Sequence, residues 1–154
     1  MGSINMPGKY QALSLGGQLY KFFVKGEDTG GAYAFFEARL PPLDIGPPPH
    51  IHRNEDVAFY IIEGRFTFSL ENSEIKAGPG DFIFLPRGQK HWLRSDSDEV
   101  GKMLVFASPA GFEKFYDAAG TPVEDDTKMP PPPTHEELVK LIQEAPNFGI
   151  EMFL

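Results

Sequence analysis

Up to about residue 107, the chain consists of short runs in which apolar and polar residues alternate or apolar residues cluster. Gly, Pro, Asn and Asp separate these runs, which are rich in aromatic and β-branched side chains. The pattern is typical of successive antiparallel strands, and its spacing favours a β-sandwich or β-barrel. It predicts an all-β body with its clearest strands at residues 19–24, 32–40, 57–62, 65–70, 82–85 and 102–106.

Glycine marks the predicted turns of this body. Gly64 lies between two strand-like runs, where a tight hairpin needs the positive φ angle that glycine adopts readily. Residues 78–81, with the sequence Gly-Pro-Gly-Asp, predict a second turn.

The periodicity changes after the last predicted strand. Apolar residues recur at intervals of three and four over residues 112–119, which predicts a short amphipathic helix that Gly120 closes. Thr134 and Glu137 form a capping-box pattern ahead of a second apolar stripe. A second helix is therefore expected over residues 135–144.

At 154 residues, the chain suits one domain. We expect a β-barrel with its N-terminal strands over residues 1–107, and a helical tail over residues 108–154 within the same domain. Residues 121–133 carry acidic side chains and end in four consecutive prolines, so they predict an extended strap between the two helices.

The composition narrows the choice of partners. A formal net charge of −8, from 14 basic and 22 acidic residues, opposes binding to nucleic acid. No apolar run approaches the ~20 residues of a membrane helix, and the first residues lack the order of a secretory signal, so a cytoplasmic protein is expected. The absence of cysteine excludes disulfides and thiolate ligands, which leaves nitrogen and oxygen donors for any metal.

Two histidines stand two residues apart after a run of three prolines. Residues 47–49 favour an extended approach, and His50 and His52 then point to the same face of a strand, where both imidazoles can reach one ion. His91 follows a predicted strand and a Pro-Gly turn, so it can return toward the same interior. Three of the 4 histidines of the chain are therefore candidates for a common site.

These positions resemble the two motifs of the cupin superfamily. The second motif, Gly-x5-Pro-x-Gly-x2-His-x3-Asn, matches at Gly80, Pro86, Gly88 and His91, with Ser95 in place of the Asn.

The first cupin motif reads Gly-x5-His-x-His-x(3,4)-Glu-x6-Gly. It matches at His50, His52 and Gly64, whereas Gly46 lies two residues closer to the first histidine than the motif asks. Val57 stands where the family has its metal-binding Glu.

The resemblance implies an antiparallel β-barrel of the double-stranded β-helix or jelly-roll type, followed by two short C-terminal helices. Residues 111–113, the proline run and the final helix are similar to the tail of bacterial single-domain quercetin dioxygenase-like cupins. The resemblance therefore implies a metal-dependent dioxygenase acting on a phenolic or enolic small molecule, with its catalytic base not identified. It also implies a homodimer, with contacts from residues 1–24 and from the proline strap.

The predicted cofactor is one divalent transition metal: Fe, Ni, Cu or Zn. A neutral three-imidazole site suits these ions better than Mg or Ca. Because Val57 removes the carboxylate ligand, we expect either the three histidines with waters or an added carboxylate from Asp56. Asp56 shares the strand parity of the first two histidines if the strand continues, whereas Glu55 has the opposite parity.

Strand parity also predicts a cavity wall next to the metal. The 14 Phe, 5 Tyr and 1 Trp suit a flat or apolar ligand as well as an ordinary core. The residues expected to line the cavity are Val57, Phe59, Ile61, Leu93 and Ser95.

Three further interpretations fit the same residues. Loss of the motif's Glu and Asn is typical of a non-catalytic cupin that binds a metal or a metabolite. A metal acting as a Lewis acid would suit an isomerase or epimerase. The three histidines could also be hydrogen-bonded polar residues in an empty cavity.

Overall fold

The computed structural model describes Gly2 and residues 9–154, and most of its regular structure is β-strand. This confirms the predicted all-β body with two short C-terminal helices. The strands are β1 (Leu13–Leu15), β2 (Gln18–Val24), β3 (Ala34–Leu40), β4 (His50–His52), β5 (Asp56–Glu63), β6 (Phe66–Ser69), β7 (Glu74–Ala77), β8 (Phe82–Leu85), β9 (Trp92–Ser95), β10 (Gly101–Ser108), β11 (Thr121–Pro122) and β12 (Ile150–Met152). The helices are α1 (Gly26–Thr29), α2 (Glu113–Ala119), α3 (His135–Glu144) and a 3-10 helix (Ala145–Phe148).

Seven strands form one antiparallel sheet in the order β11-β1-β2-β3-β10-β5-β8. β10 lies near its centre and pairs with both β3 and β5. Along β3, buried and partly exposed residues alternate, so that Ala34, Phe36, Ala38 and Leu40 face the interior. This period of two is the one that the alternating sequence runs predict.

A smaller layer packs against this sheet. β6 pairs with β7 and β9, β12 pairs with β4, and a bridge between His50 and His91 joins the two pieces. The rings of Phe59 on the large sheet and Phe68 on β6 lie 5.1 Å apart. The core therefore lies between the layers.

The C-terminal tail shares this core. The Thr134 hydroxyl accepts a hydrogen bond from Glu137 N at 3.1 Å, and the Glu137 carboxylate accepts one from Thr134 N at 2.8 Å. These bonds confirm the predicted capping box, and α3 has the predicted bounds. Leu141 and Ile150 belong to the same buried cluster as the strand residues, and β12 then carries the chain back to the histidine strand β4.

Gly64 adopts the predicted positive φ, +95°, in the hairpin between β5 and β6. The sequence pattern did not predict β7, β12 and α1, each of four residues or fewer. Elements of this length contain too few residues for a period of two or 3.6 to be distinguished.

Within Gly2 and residues 9–154, no helix is long and apolar enough to cross a membrane. Part of the predicted dimer contact at residues 1–24, namely residues 1 and 3–8, lies outside the described residues. The homodimer therefore stays a prediction.

Candidate metal centre

Backbone pairing places the three predicted histidines together. His50 and His52 begin and end β4, which is held by β12 on one side. On the other side, His50 N donates to the carbonyl of His91 and His91 N donates to the carbonyl of His50, both at 3.0 Å. His91 ends the turn between β8 and β9, so two distant segments bring the imidazoles to one point.

The three rings form one compact group inside the protein. Their potential ligand nitrogens all lie within 4.8 Å of one another. The ring centroids of His50 and His91 are 4.4 Å apart, and those of His50 and His52 are 5.0 Å apart. The exposed fractions are 9% for His50, 9% for His52 and 4% for His91, so bulk water has little access to the group.

Hydrogen bonds orient two of the rings for ligation. Nδ1 of His50 lies 3.0 Å from the carbonyl oxygen of Pro48, and Nδ1 of His91 lies 3.1 Å from that of Gln89. A carbonyl oxygen can only accept, so each Nδ1 carries the proton and each Nε2 keeps its lone pair. Such outer hydrogen bonds are usual around metal-binding histidines.

The third ring, His52, packs against Phe112 with 4.5 Å between ring centroids. Its buried Nδ1 has no hydrogen-bond partner among the described residues. Burial lowers the pKa of all three imidazoles, to about 3 for His50, and repulsion from neighbouring imidazoles contributes for His50 and His52. Three neutral nitrogen donors fit a divalent transition metal, and the unsatisfied nitrogen shows that hydrogen bonding alone does not account for the group.

Asp56, predicted as an additional ligand, lies elsewhere. Its carboxylate accepts hydrogen bonds from Arg87 N at 2.9 Å and Arg87 Nε at 3.2 Å, and it is not part of the histidine group. The parity argument required an uninterrupted strand, but residues 53–55 bend the chain between β4 and β5. The bend resets which side chains face inward, and Asp56 faces outward.

The predicted cavity wall is found in part. A cavity of about 70 Å³ between the two layers is lined by the three histidines together with Val57, Phe59 and Leu93. Ile61 and Ser95 are buried, with exposed fractions of 0% and 4%, but they do not line this cavity. Val57 therefore faces the same space as the histidines, as its position in the motif implies.

A second cavity, of about 250 Å³, adjoins the histidines on the side of the C-terminal tail. We call it the outer cavity and the smaller one the inner cavity. The sequence did not predict two parts of the wall of the outer cavity. One part is formed by the polar residues Gln18, Tyr20 and Tyr116, and the other by apolar residues of the tail. The sequence shows the apolar stripe on α3, but the pattern of a single helix does not reveal which cavity it lines. Besides Phe115 and Tyr116 of α2, the tail residues that line the outer cavity are Leu138, Leu141, Ile142, Ile150 and Met152.

The comparisons with known proteins agree with this architecture. Residues 36–107 match the family model described as "Cupin domain". The chain therefore carries a cupin domain. The quercetin 2,3-dioxygenase of Bacillus subtilis is 31% identical over 117 residues, and that of Aspergillus japonicus is 29% identical over 126 residues. These alignments cover 76% and 78% of this chain but 34% and 36% of the relatives, so the cupin spans about a third of their length.

The structure of KdgF from Halomonas sp. superimposes with a TM-score of 0.62 at 18% identity. The superposition covers 74% of this cupin and 99% of KdgF. At this identity, the likeness shows a common fold.

Gly46 of the cupin occupies a position that only glycine fits. Its φ is +69°, and a Cβ at this position would overlap the carbonyl oxygen of Leu93, a residue of the inner cavity. We expect Gly46→Ala to lower the free energy of unfolding by about 2–4 kcal/mol, from backbone strain plus overlap. Denaturant titration measures the change.

Gly30→Ala is the matched control for this prediction. Gly30 has a φ of +64°, but apart from its two chain neighbours no atom of the described residues lies within 4 Å of a Cβ there. Gly30→Ala should lower the free energy of unfolding by about 1 kcal/mol, because only the left-handed conformation is unfavourable for alanine there. Equal losses in the two variants would contradict the close approach between Gly46 and Leu93.

A buried pair of carboxyl groups lies near the site. Glu113 accepts hydrogen bonds from Gly26 N at 3.0 Å and Gly111 N at 2.6 Å. Glu55 Oε2 is buried without a partner among the described residues. Burial raises the pKa of Glu55 to about 7, and the charge of Glu113 adds to the shift. A carboxyl of this kind is protonated in the folded protein at moderately acidic pH.

We expect Glu55→Gln to stabilise the metal-free protein above pH 7 and to have little effect at pH 4.5 and below. Because the pKa is about 7 in the folded state against a usual 4.5, the stability that the protonated carboxyl gives is lost as the pH rises from 4.5 through 7. Above pH 7, the free energy of unfolding of Glu55→Gln should exceed that of the wild type by up to about 3 kcal/mol. Denaturant titrations at several pH values, with a chelator present, measure it. The control is Glu71→Gln, which changes a carboxyl group on the surface. An equal gain of stability in both variants would contradict the effect of burial at Glu55.

Proposed function

We propose that this cupin is a metal-dependent oxidoreductase that acts on a phenolic or enolic small molecule, in the manner that the name of its quercetin 2,3-dioxygenase relatives indicates. The observation that carries the proposal is the convergence of three neutral imidazoles beside two largely apolar cavities, both of which are lined by His50 and His52. One Fe, Ni, Cu or Zn ion held by His50, His52 and His91 would supply a Lewis-acidic centre and, for the redox-active ions, an electron-transfer centre.

The chain's own residues bind the ligand and exclude water. Aromatic and aliphatic side chains such as Phe59, Phe112 and Leu141 form the cavity walls, which favours a flat apolar ligand. The tail contributes to the wall of the outer cavity, and the three histidines are at most 9% exposed, so water has little access to them. Apolar walls with a few polar groups are typical of small-molecule sites.

Oxygen consumption tests the proposed activity. Protein loaded with Fe, Ni or Cu should consume oxygen when quercetin is added, and mass spectrometry should show an oxygenated or cleaved product. His52→Ala should lose this activity, whereas His135→Ala, at the exposed start of α3, should keep it. No oxygen consumption with any of the three metals would contradict the proposal.

Val57 favours a second candidate, a non-catalytic cupin that binds a metal or a metabolite. Among the described residues, no carboxylate is grouped with the three histidines, so the site has no evident proton acceptor for a substrate hydroxyl. If this second candidate is correct, the protein binds a metal or a ligand but does not convert the ligand to a product. The oxygen-consumption experiment separates the two candidates when it is combined with a measured metal content.

A further inference from the structure

The surface of the large sheet that faces away from the core carries a patch of aromatic side chains. Along β3 and β10, buried residues such as Phe36 and Val105 alternate with outward-facing ones, as the strand period of two requires. Six aromatic residues point outward on or next to these strands and are well exposed. They are Phe23 (36%), Tyr33 (37%), Tyr60 (42%), Phe82 (66%), Phe84 (55%) and Phe106 (40%). We call these six residues the aromatic patch.

One row of the aromatic patch runs across neighbouring strands. Phe106 of β10 lies opposite Phe35 of β3 on one side and opposite Ala58 of β5 on the other. On β8, the last strand of the sheet, Phe84 lies opposite Ala58. The ring of Tyr33 stacks on that of Phe106 with 5.3 Å between centroids. The row is therefore continuous and apolar from β3 to β8.

A second row and β2 extend the aromatic patch. Tyr60 lies opposite Leu104 on one side and opposite Phe82 on the other. At the far end, the ring of Phe23 on β2 lies 5.6 Å from that of Phe35. The six residues therefore form one surface rather than scattered single side chains. A contiguous apolar surface of this kind usually marks a site of interaction.

The aromatic patch is large enough for a stable contact between proteins. Its six exposed fractions together equal about 2.8 whole residues, which is on the order of 550 Å² at about 200 Å² per aromatic residue. Two such patches would bury about 1,100 Å², close to the roughly 1,200 Å² at which specific interfaces begin. The partly buried neighbours Phe35 and Leu104 add to this area.

Charged residues next to the aromatic patch on β2, β3 and β10 are paired within the chain. The pairs, with their nitrogen–oxygen distances, are Lys21–Asp126 (3.6 Å), Arg39–Glu37 (2.8 Å) and Lys102–Glu63 (3.8 Å). These pairs carry no net charge, so a second copy can approach this border without net repulsion although each chain has a charge of −8. An apolar centre with a polar rim is the usual anatomy of a protein interface. A nucleic acid or an anionic membrane would need an excess of basic groups, which these pairs do not provide.

We propose that two copies of this chain associate through the aromatic patch about a two-fold axis, so that the same surface meets itself. The homodimer predicted from the sequence used residues 1–24 and the proline strap, and of these the patch contains only Phe23. On β5, Val57 and Phe59 face the inner cavity whereas Tyr60 belongs to the patch. The second copy therefore packs behind the wall of the site and leaves the histidines on the other side of the sheet. The proposal does not rest on the proposed function.

Sedimentation velocity of the full chain, without metal, measures the association. The wild type should form a dimer with a dissociation constant of about 10 μM or below. Phe82→Glu combined with Phe84→Glu should weaken the association on the order of 100-fold or more, because carboxylates would have to be buried against an apolar surface. The control is Leu43→Glu combined with Ile45→Glu. It adds the same charge at two apolar residues of similar exposure, 61% and 70%, in the loop between β3 and β4, and it should leave the association unchanged.

A cross-link tests the same contact without adding charge. The chain contains no cysteine, so a single introduced cysteine reacts alone. Phe106 lies on β10, in the middle of the patch, where residues related by a two-fold axis come close together. A short bismaleimide should therefore link two copies of Phe106→Cys, and it should not link copies of Ile45→Cys at the same concentration. Circular dichroism checks that every variant is folded.

Four results would overturn the proposal. They are a wild type that remains a single chain at about 100 μM, a dimer unaffected by the glutamates at Phe82 and Phe84, an equal loss in both double variants, and equal cross-linking of the two cysteine variants. A single-chain wild type that binds to phosphatidylcholine vesicles would assign the aromatic patch to a lipid surface instead. The metal is absent from all these measurements, so their outcome is independent of the test of the proposed activity.

Discussion

Val57→Glu is expected to destabilise the metal-free cupin by about 3 kcal/mol at pH 7 and to make it bind a divalent transition metal more tightly than the wild type. Val57 is 2% exposed and lines the inner cavity together with the three histidines. A carboxyl group at this position would be buried without a partner, so its pKa would rise and the loss of stability would grow with pH. A bound cation would remove that penalty by accepting the carboxylate as a ligand.

Val57→Gln is the matched control because it has the size of Glu without the charge. It should destabilise the protein to a smaller extent, and it should not raise the metal affinity. Denaturant titrations at pH 5 and pH 8, with and without Zn²⁺, measure the stabilities, and calorimetry measures the affinities. An affinity gain of equal size in both variants, or in neither, would show that this side chain does not face the ion.

His91→Ala is expected to reduce the affinity for Zn²⁺ on the order of 100-fold or more. Loss of a residue that only hydrogen-bonds to a metal ligand already lowers metal affinity about 10–100-fold, and His91 is a proposed ligand itself. The bridge to β4 uses only the backbone of His91, so the variant should keep its fold in circular dichroism. Metal at 100 times its dissociation constant should stabilise the wild type by about 2.7 kcal/mol, and this gain should be absent in the variant at the same concentration.

His135→Ala is the control for this prediction. His135 is the fourth histidine of the chain and lies at the start of α3, where its side chain is exposed. It should leave the metal affinity unchanged. A comparable loss in both histidine variants would indicate that the metal binds at the surface rather than between the two layers.

The sequence predicted the parts of the fold that depend on local periodicity. The strands of the large sheet follow an alternation of apolar and polar residues, and α3 follows from the capping box of Thr134 and Glu137. The pairing of β12 with β4 could not be predicted in this way. This pairing joins two segments that lie far apart in the sequence. Arg53 and Glu151, which form an ion pair beside it, are separated by 98 positions along the chain.

The site could be predicted as far as its motif extends. His50, His52 and His91 were identified from their spacing, and the structure brings them together. Asp56 lies outside this group because the parity argument holds only for an uninterrupted strand, and the chain bends at residues 53–55. Gln18, Tyr20 and Tyr116 gave no signal, because their contacts with the site form only when β2 and α2 pack beside β4.

The central claim is that one divalent transition metal binds to the three converging imidazoles. The most direct test is elemental analysis of the full chain after loading with Zn²⁺ and removal of the unbound ion, on the wild type and on His50→Ala, His52→Ala and His91→Ala. We predict one ion per chain in the wild type and less than a tenth of that in each variant. A wild type without bound zinc, or variants that retain one ion per chain, would contradict the claim.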